Sequence, residues 1–263
     1  MPVSASWYDF PQYFDMVFRD ETPGELQFLE AAFQRYATVP VRRLYEPGCG
    51  SGRLVIALAA REYDVVALDN HPAMLDYLRR RLRRGHRMAE LIEGDMTDYV
   101  VSPPVDAAFC TFNTFRHLTT GEAAERHLRS VAESVRPGGI YVLGFHCLPM
   151  DVDPDSTERW TARHGGTRVS VTFRVTDFHR RQRLEDIRVS IKATRASGEV
   201  TRIRSEFSLR LYTPRQAKTL IAEVADVWEL VAIHDFDYQI DIQRKIDRDL
   251  IDAVFILRRR AQA

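Results

Sequence analysis

Cysteine is scarce in this sequence. The three present, Cys49, Cys110 and Cys147, lie far apart and form no CxxC pair. That argues against a disulfide framework or a structural zinc site and fits a reducing compartment, so a cytoplasmic protein is expected. Lysine occurs only at Lys192, Lys218 and Lys245, and nearly all the basic charge is arginine. Net charge of either sign is missing: 37 Lys and Arg balance 37 Asp and Glu. Bulk charge therefore does not point to nucleic acid or an anionic membrane. No apolar run approaches the ~20 residues of a membrane helix. The opening stretch MPVSASWYDFPQYFD has no apolar h-region, so no secretory signal is expected. No internal repeat or low-complexity tract is present, and no carboxylate constellation demands a metal ion.

What the sequence does have is a core and a periodic pattern. A hydrophobic fraction of 45% suffices to fill the interior of one large domain. The first twenty residues are rich in aromatics (Trp7, Tyr8, Phe10, Tyr13, Phe14, Phe18) and read as a short helix or lid that docks on something, because six exposed rings are costly. A helix follows from about Pro23, with Leu26, Phe28, Leu29, Ala32, Phe33 and Tyr36 on one face. Apolar strands then alternate with amphipathic helices. The strands are 41–45, 64–69, 89–93, 105–112, 140–145 and 228–234, and a last strand is expected at 250–257. Strands rich in Val, Ile and Leu between such helices imply a parallel sheet covered on both faces. Between Thr167 and Leu211 the period changes to two, with Ser197-Gly198 as a hairpin turn, which predicts an inserted antiparallel sheet.

One stretch carries the strongest chemical signal: Glu46-Pro47-Gly48-Cys49-Gly50-Ser51-Gly52 between the first strand and its helix. Glycines let the backbone turn sharply and let a ligand lie against bare peptide groups, and the helix beyond offers free N–H groups. The pattern is not GxGxxG, because position 53 is Arg. Nothing here cradles a pyrophosphate, and acidic Glu46 would repel one, so a dinucleotide oxidoreductase is disfavoured. Asp69 ends the second strand, 21 residues beyond Gly48, and suits a ribose; a solvated strand-end acid is the alternative. Asp95, after the third strand, suits the adenine amine or else caps its own turn.

These landmarks together resemble the class I S-adenosylmethionine-dependent methyltransferases, over nearly the whole chain. The matching pieces are the glycine motif, Asp69, Gly94-Asp95-Met96, Asp106 to Asn113 and the turn Arg136-Pro137-Gly138-Gly139. The resemblance implies an α/β fold with a Rossmann-like, seven-stranded, mostly parallel sheet, helices on both faces and the last strand antiparallel. Residues 1–150 and 213–263 would form the cofactor-binding domain, and 151–212 an inserted antiparallel β cover over the substrate. The cofactor implied is S-adenosyl-L-methionine, with S-adenosyl-L-homocysteine as product. The cofactor-contacting set implied is Tyr8, Tyr13, Glu46, Gly48, Cys49, Gly50, Gly52, Asp69, Asn70, Asp95, Met96 and Phe112. Residues after the strands face such a site, which nominates Asn113, His117 and His146 for catalysis. Either His is a candidate general base, with helix capping or packing as the alternative role. The expected activity is methyl transfer to a small-molecule N or O acceptor; the alternative is a non-catalytic cofactor-binding regulatory or scaffold protein. A homodimer is left open, and nucleic acid and membrane are not expected partners. The arginine run from Arg79 to Arg87 reads as a solvated helix face.

Overall fold

In a computed structural model, residues 3–148 and 157–261 are described. The start of the expected insertion, 151–156, lies outside them. After a two-residue strand β1 (Val3–Ser4), the chain makes a 3₁₀ turn and helix α1 (Pro11–Phe18), then α2 (Thr22–Tyr36). There follow β2 (Arg43–Pro47), α3 (Arg53–Ala59), β3 (Asp64–Asp69), α4 (Pro72–Arg84), β4 (Glu90–Glu93), β5 (Val105–Cys110), α5 (Gly121–Ser134) and β6 (Val135–His146). Four long strands come next: β7 (Thr157–His164), β8 (Thr167–His179), β9 (Leu184–Arg195) and β10 (Val200–Arg210). Helix α6 (Pro214–Glu223), β11 (Trp228–His234) and β12 (Asp252–Arg259) complete the chain.

The large sheet has seven strands in the order β11-β12-β6-β5-β2-β3-β4. Pairings among β2 to β6 are parallel, and β12 is antiparallel to both its neighbours. Successive side chains of a strand point to opposite faces. Leu44, Val65 and Ala67 accordingly pack on α2, α3 and α4, through Phe28, Leu54 and Leu75. Tyr45, Val66 and Leu68 face the core formed with α5 and α6 through Leu128, Val131 and Leu220. Asp106 fixes one edge, its Oδ2 accepting the backbone N–H groups of Arg42 (2.6 Å) and Arg43 (2.8 Å).

The small sheet runs β1-β10-β9-β8-β7. Its four long strands are antiparallel, as the period-two pattern implies. The fifth, β1, pairs in parallel with β10, Val3 opposite Ile203; two residues carry no periodicity from which it could be read. The apolar face (Val169, Val171, Ile187, Val189, Ile191, Ile203) closes over Trp7 and Tyr13 of the N-terminal segment, forming a third core. The docking site of the N-terminal aromatics is thus largely this sheet. Several boundaries differ from expectation: β2 and β12 each lie two residues further along the chain than expected. β4 starts at Glu90; β5 stops at Cys110, because Phe112 takes a left-handed φ of 55°; and β6 begins at Val135, continuing through the Pro137-Gly138-Gly139 turn.

Arg116 joins the two sheets. Its guanidinium pairs with Glu185 of β9 and donates through Nε to the Arg210 carbonyl at 2.7 Å, with both charged side chains almost wholly buried. Removing one partner of such a pair strands the other charge, costing about 3–5 kcal/mol. Arg116→Ala should lower unfolding stability by that amount in urea denaturation, whereas the double change Arg116→Met/Glu185→Leu should stay within about 1 kcal/mol of the parent.

Candidate active site at the carboxyl edge of the sheet

The turn after β2 takes left-handed backbone at each of its three glycines, with φ of 70° at Gly48, 54° at Gly50 and 71° at Gly52. Gly52 also has no room: a Cβ there would sit 2.3 Å from Leu78 Cδ1 of α4. Gly50 meets only Phe14, at 3.9 Å, so its Cα faces the space beneath the N-terminal segment. Cys49 is buried, its amide bonded to the Leu68 carbonyl at 2.9 Å, and burial keeps its thiol protonated.

Asp69 holds the turn in shape. Its two carboxylate oxygens accept from the Gly50 amide at 2.7 Å and the His71 amide at 2.8 Å. Burial raises its pKa, and the two amides oppose that rise. Each oxygen keeps a second lone pair for a ligand hydroxyl. Asn70 is exposed beside it. Asp95 Oδ1 accepts from the Thr97 amide at 2.8 Å and hydroxyl at 2.6 Å, which lowers its pKa. The turn-capping role is therefore filled by Oδ1, and Oδ2 is left for a ligand. Met96 Sδ lies 3.4 Å from where a Cβ on Gly48 would stand. Behind Met96 is buried His127, held neutral by burial with its pKa near 4. Its Nδ1 donates to the Met96 carbonyl and its Nε2 accepts from the Tyr141 hydroxyl, each at 2.7 Å.

Glu46 is 8% exposed, and its Oε2 has no hydrogen-bond partner among the described residues. Burial raises its pKa well above the usual range, opposed by the Arg53 charge. Arg53 itself pairs with fully buried Glu25 of α2 and lies over the Phe112 ring at 5.1 Å. Glu25 also accepts from the Tyr238 hydroxyl at 2.9 Å. Glu21, a third acid near the same guanidinium, has a buried Oε2 without a partner. Three acids thus share one guanidinium, and burial raises the pKa of two of them, Glu21 and Glu46.

The N-terminal segment roofs this arrangement. Asp15 of α1 is fully buried and accepts from Arg81 of α4, from Arg19 at 2.8 Å and from the Tyr77 hydroxyl at 3.3 Å. Arg81 also donates to the Ser51 carbonyl of the glycine turn at 3.3 Å. Most of the arginine run is exposed as expected, but Arg81 turns inward and anchors the roof. His71 Nε2 lies 3.2 Å from Asp9. Tyr8 is half-buried with its hydroxyl 2.9 Å from His117 Nε2. Tyr13, in contrast, stacks on Phe10 at 6.0 Å within the small-sheet core, away from the glycine turn.

Of the three catalytic nominees, Asn113 accepts the His146 amide at 3.1 Å and Arg116 Nη1 at 3.3 Å. His117 is engaged by Tyr8, and burial plus the Arg116 charge push its pKa down to about 4, which makes it a poor base. His146 pairs through Nδ1 with Asp252. Rings surround the space between: Phe18 lies 6.0 Å from Phe112 and 6.1 Å from Trp160. Phe236 lies 5.7 Å from Phe112, and Phe207 5.3 Å from His117. Two open surface hollows, one near Tyr63 and His86 and one at the Gly165-Gly166 hairpin, contain none of these residues.

Residues 45–139, β2 through the turn inside β6, match the family described as a methyltransferase domain. The chain thus carries a methyltransferase domain and has the fold of S-adenosylmethionine-dependent methyltransferases. A cypemycin N-terminal methyltransferase from Streptomyces is 27% identical over 68% of this chain and 82% of its own length. A carboxy-S-adenosyl-L-methionine synthase from Photorhabdus laumondii is 26% identical over 38% of this chain, and the match spans only 41% of the synthase. Among solved structures, a S-adenosylmethionine-dependent methyltransferase from Clostridium acetobutylicum superposes with a TM-score of 0.76 at 12% identity, covering 96% of this chain and 98% of that one. The amino pentose methyltransferase CalS10 from Micromonospora echinaspora gives 0.69 at 21% identity, covering 98% and 99%.

The methyltransferase fold explains the placement of Glu46 and Asp69. It does not explain Glu21, Glu25, Arg53 and Tyr238, which sequence reading passed over. Arg53 is legible only as the residue that breaks GxGxxG. Glu21 tests the charge argument. Burial pushes its carboxyl from the ordinary 4.5 up to about 7. A carboxyl raised in the folded state binds its proton more tightly there than in the unfolded chain, so stability falls as pH rises from about 4.5 to about 7. Glu21→Gln should remove that slope, leaving the variant more stable than the parent at alkaline pH in urea midpoints. Gly52→Ala should cost about 1–3 kcal/mol through overpacking against Leu78, read as a lowered thermal midpoint.

Proposed function

We propose that the protein transfers a methyl group from S-adenosylmethionine to a small-molecule nitrogen or oxygen acceptor. The observation that carries this reading is the buried, unpartnered Glu46 carboxylate at the glycine turn, in a pocket with more acids than bases. That donor set suits a ligand that brings both an ammonium and a sulfonium. Glu46 takes the ammonium of the methionyl end. Asp69 takes the ribose hydroxyls, with Gly48, Gly50 and Gly52 giving close backbone approach. Asp95 takes the adenine amine, and the Met96 amide a ring nitrogen. Aromatic faces such as Phe14 and Phe112 suit a sulfonium at ~0.5–2 kcal/mol per contact.

S-adenosylmethionine supplies an already activated methyl group, so the chain has to align the acceptor and exclude water. The N-terminal roof excludes water. In this reading residues 1–150 and 213–263 bind the cofactor, and 151–212 covers the acceptor. The rings of Trp160, Phe173 and Phe207 on the small sheet's inner side suit a compact organic acceptor. Nitrogen is favoured because the relative is named an N-terminal methyltransferase and two of the fold neighbours are an amino pentose and a sugar N-methyltransferase.

Isothermal calorimetry tests this directly. The full chain should bind S-adenosylmethionine and S-adenosylhomocysteine. Asp69→Ala should weaken both about tenfold to a hundredfold, the worth of a charge-assisted hydrogen bond. Absence of binding by the parent chain overturns the reading. Binding without transfer of labelled methyl to any of a panel of amino sugars, phenols and peptides would favour a regulatory cofactor-binding protein instead.

A further inference from the structure

We propose that His146, held by Asp252, is the base that removes the acceptor's proton, so that the acceptor is a hydroxyl or a protonated amine. This rests on the methyl-transfer reading above and assigns the part of it that composition and motif leave open.

His146 ends β6 and Asp252 begins β12, and the two face each other across the antiparallel ladder. The imidazole Nδ1 bonds to the Asp252 carboxylate. A carboxylate only accepts, so Nδ1 carries the hydrogen and Nε2 presents its lone pair. This is the arrangement in which a second group fixes the tautomer of a base. The backbone is fixed as well: the His146 amide donates to Asn113 Oδ1 at 3.1 Å. The ring is held edge-on by Phe236 at 5.0 Å, and Phe236 in turn lies 5.7 Å from Phe112. The lone pair therefore sits at the carboxyl edge of the sheet, where ligands of such folds bind. His146 and Asp252 are both partly open, with 32% and 43% of their side chains exposed, so an acceptor can reach them.

Among the described residues, the charged and titratable groups brought to the pair are Arg116 and Cys147. Arg116 approaches from the turn after β5 through Asn113, but its charge is matched by Glu185. Cys147 follows in the chain and is kept a neutral thiol by burial. The other candidate is unsuited on geometry alone, because His117 Nε2 is engaged by the Tyr8 hydroxyl at 2.9 Å.

The step balances as follows. His146 Nε2 takes the proton from the acceptor N–H or O–H, and the electron pair left on that atom forms the new bond to the methyl carbon. The carbon–sulfur bond breaks with its pair remaining on sulfur. His146 then returns the proton to solvent. Asp252 is a positioning residue: it orients the ring and stabilises the imidazolium.

Two measurements test the proposal. In the cofactor-free full chain, nitrogen-15 histidine spectra should show neutral His146 as the Nδ1–H tautomer; the Nε2–H tautomer overturns the assignment. In turnover with methyl-labelled S-adenosylmethionine and a panel of amino sugars, phenols, tertiary amines and thioethers, product should form at a hydroxyl or an amine and not at a thioether. His146→Ala should lower kcat about a hundredfold or more, with cofactor affinity by calorimetry unchanged within about twofold. His146→Gln serves the same purpose if the alanine variant folds poorly. Asp252→Asn keeps an acceptor for the Nδ1 hydrogen but loses the charge, and should lower kcat while leaving KM and cofactor affinity within about twofold of the parent. A purely structural ion pair would leave kcat in place. Activity of His146→Ala within about threefold of the parent, or product only at thioethers, overturns the proposal while the methyl-transfer reading stands. A parent chain that binds no cofactor overturns that reading instead.

Discussion

Asp69 accepts two backbone amides, from Gly50 on one side and His71 on the other. Through the first it holds the glycine turn against β3. Through the second it sets the start of α4, from which His71 reaches Asp9 of the N-terminal segment and Arg81 reaches Asp15. One side chain thus ties together the turn, the helix beside it and, at one remove, the roof. Hydrogen bonds from a carboxylate to amides are among the stronger ones a protein makes, and these lie in a buried setting where breaking them is costly. The same oxygens retain lone pairs, so in the proposed reading holding the turn and taking a ribose do not compete.

A second constraint is charge. Glu21, Glu25 and Glu46 converge on a single guanidinium from three separate parts of the chain: the turn before α2, α2 itself and the end of β2. Burying carboxylates without full compensation raises their affinity for protons, and two of the three show this. Such strain is a common mark of a functional site. Arg116 and Glu185 show the opposite case, a matched pair that joins the two sheets and has no charge left over.

Sequence patterning carried the fold far. Alternating apolar strands and helices implied the parallel sheet, and period two between Thr167 and Leu211 implied the antiparallel one. The glycine motif and the strand-end acids also stand where the pattern put them, because they sit at fixed offsets from strands. What stayed hidden depends on contacts between distant residues. Asp252 is unremarkable until β12 lies antiparallel beside β6 and sets it opposite His146. Arg81 is one arginine among six nearby, and only its position on the inward side of α4 distinguishes it. Tyr13 and Tyr8 look alike in a run of aromatics, yet one fills a core and the other meets His117, since Tyr8 lies in the 3₁₀ turn and Tyr13 in α1. Glu25 reads as an ordinary first-turn acid of a helix.

The pairing of β1 with β10 sets Val3 opposite Ile203, two hundred residues along the chain. The rings of Trp7 and Tyr13 find their core only among Val169, Ile187 and Ile203. During synthesis the N-terminal segment therefore emerges first and completes its core only once β10 has been made. Its apolar surface stays uncovered while the large sheet's first five strands assemble, which makes it the aggregation-prone part of the nascent chain.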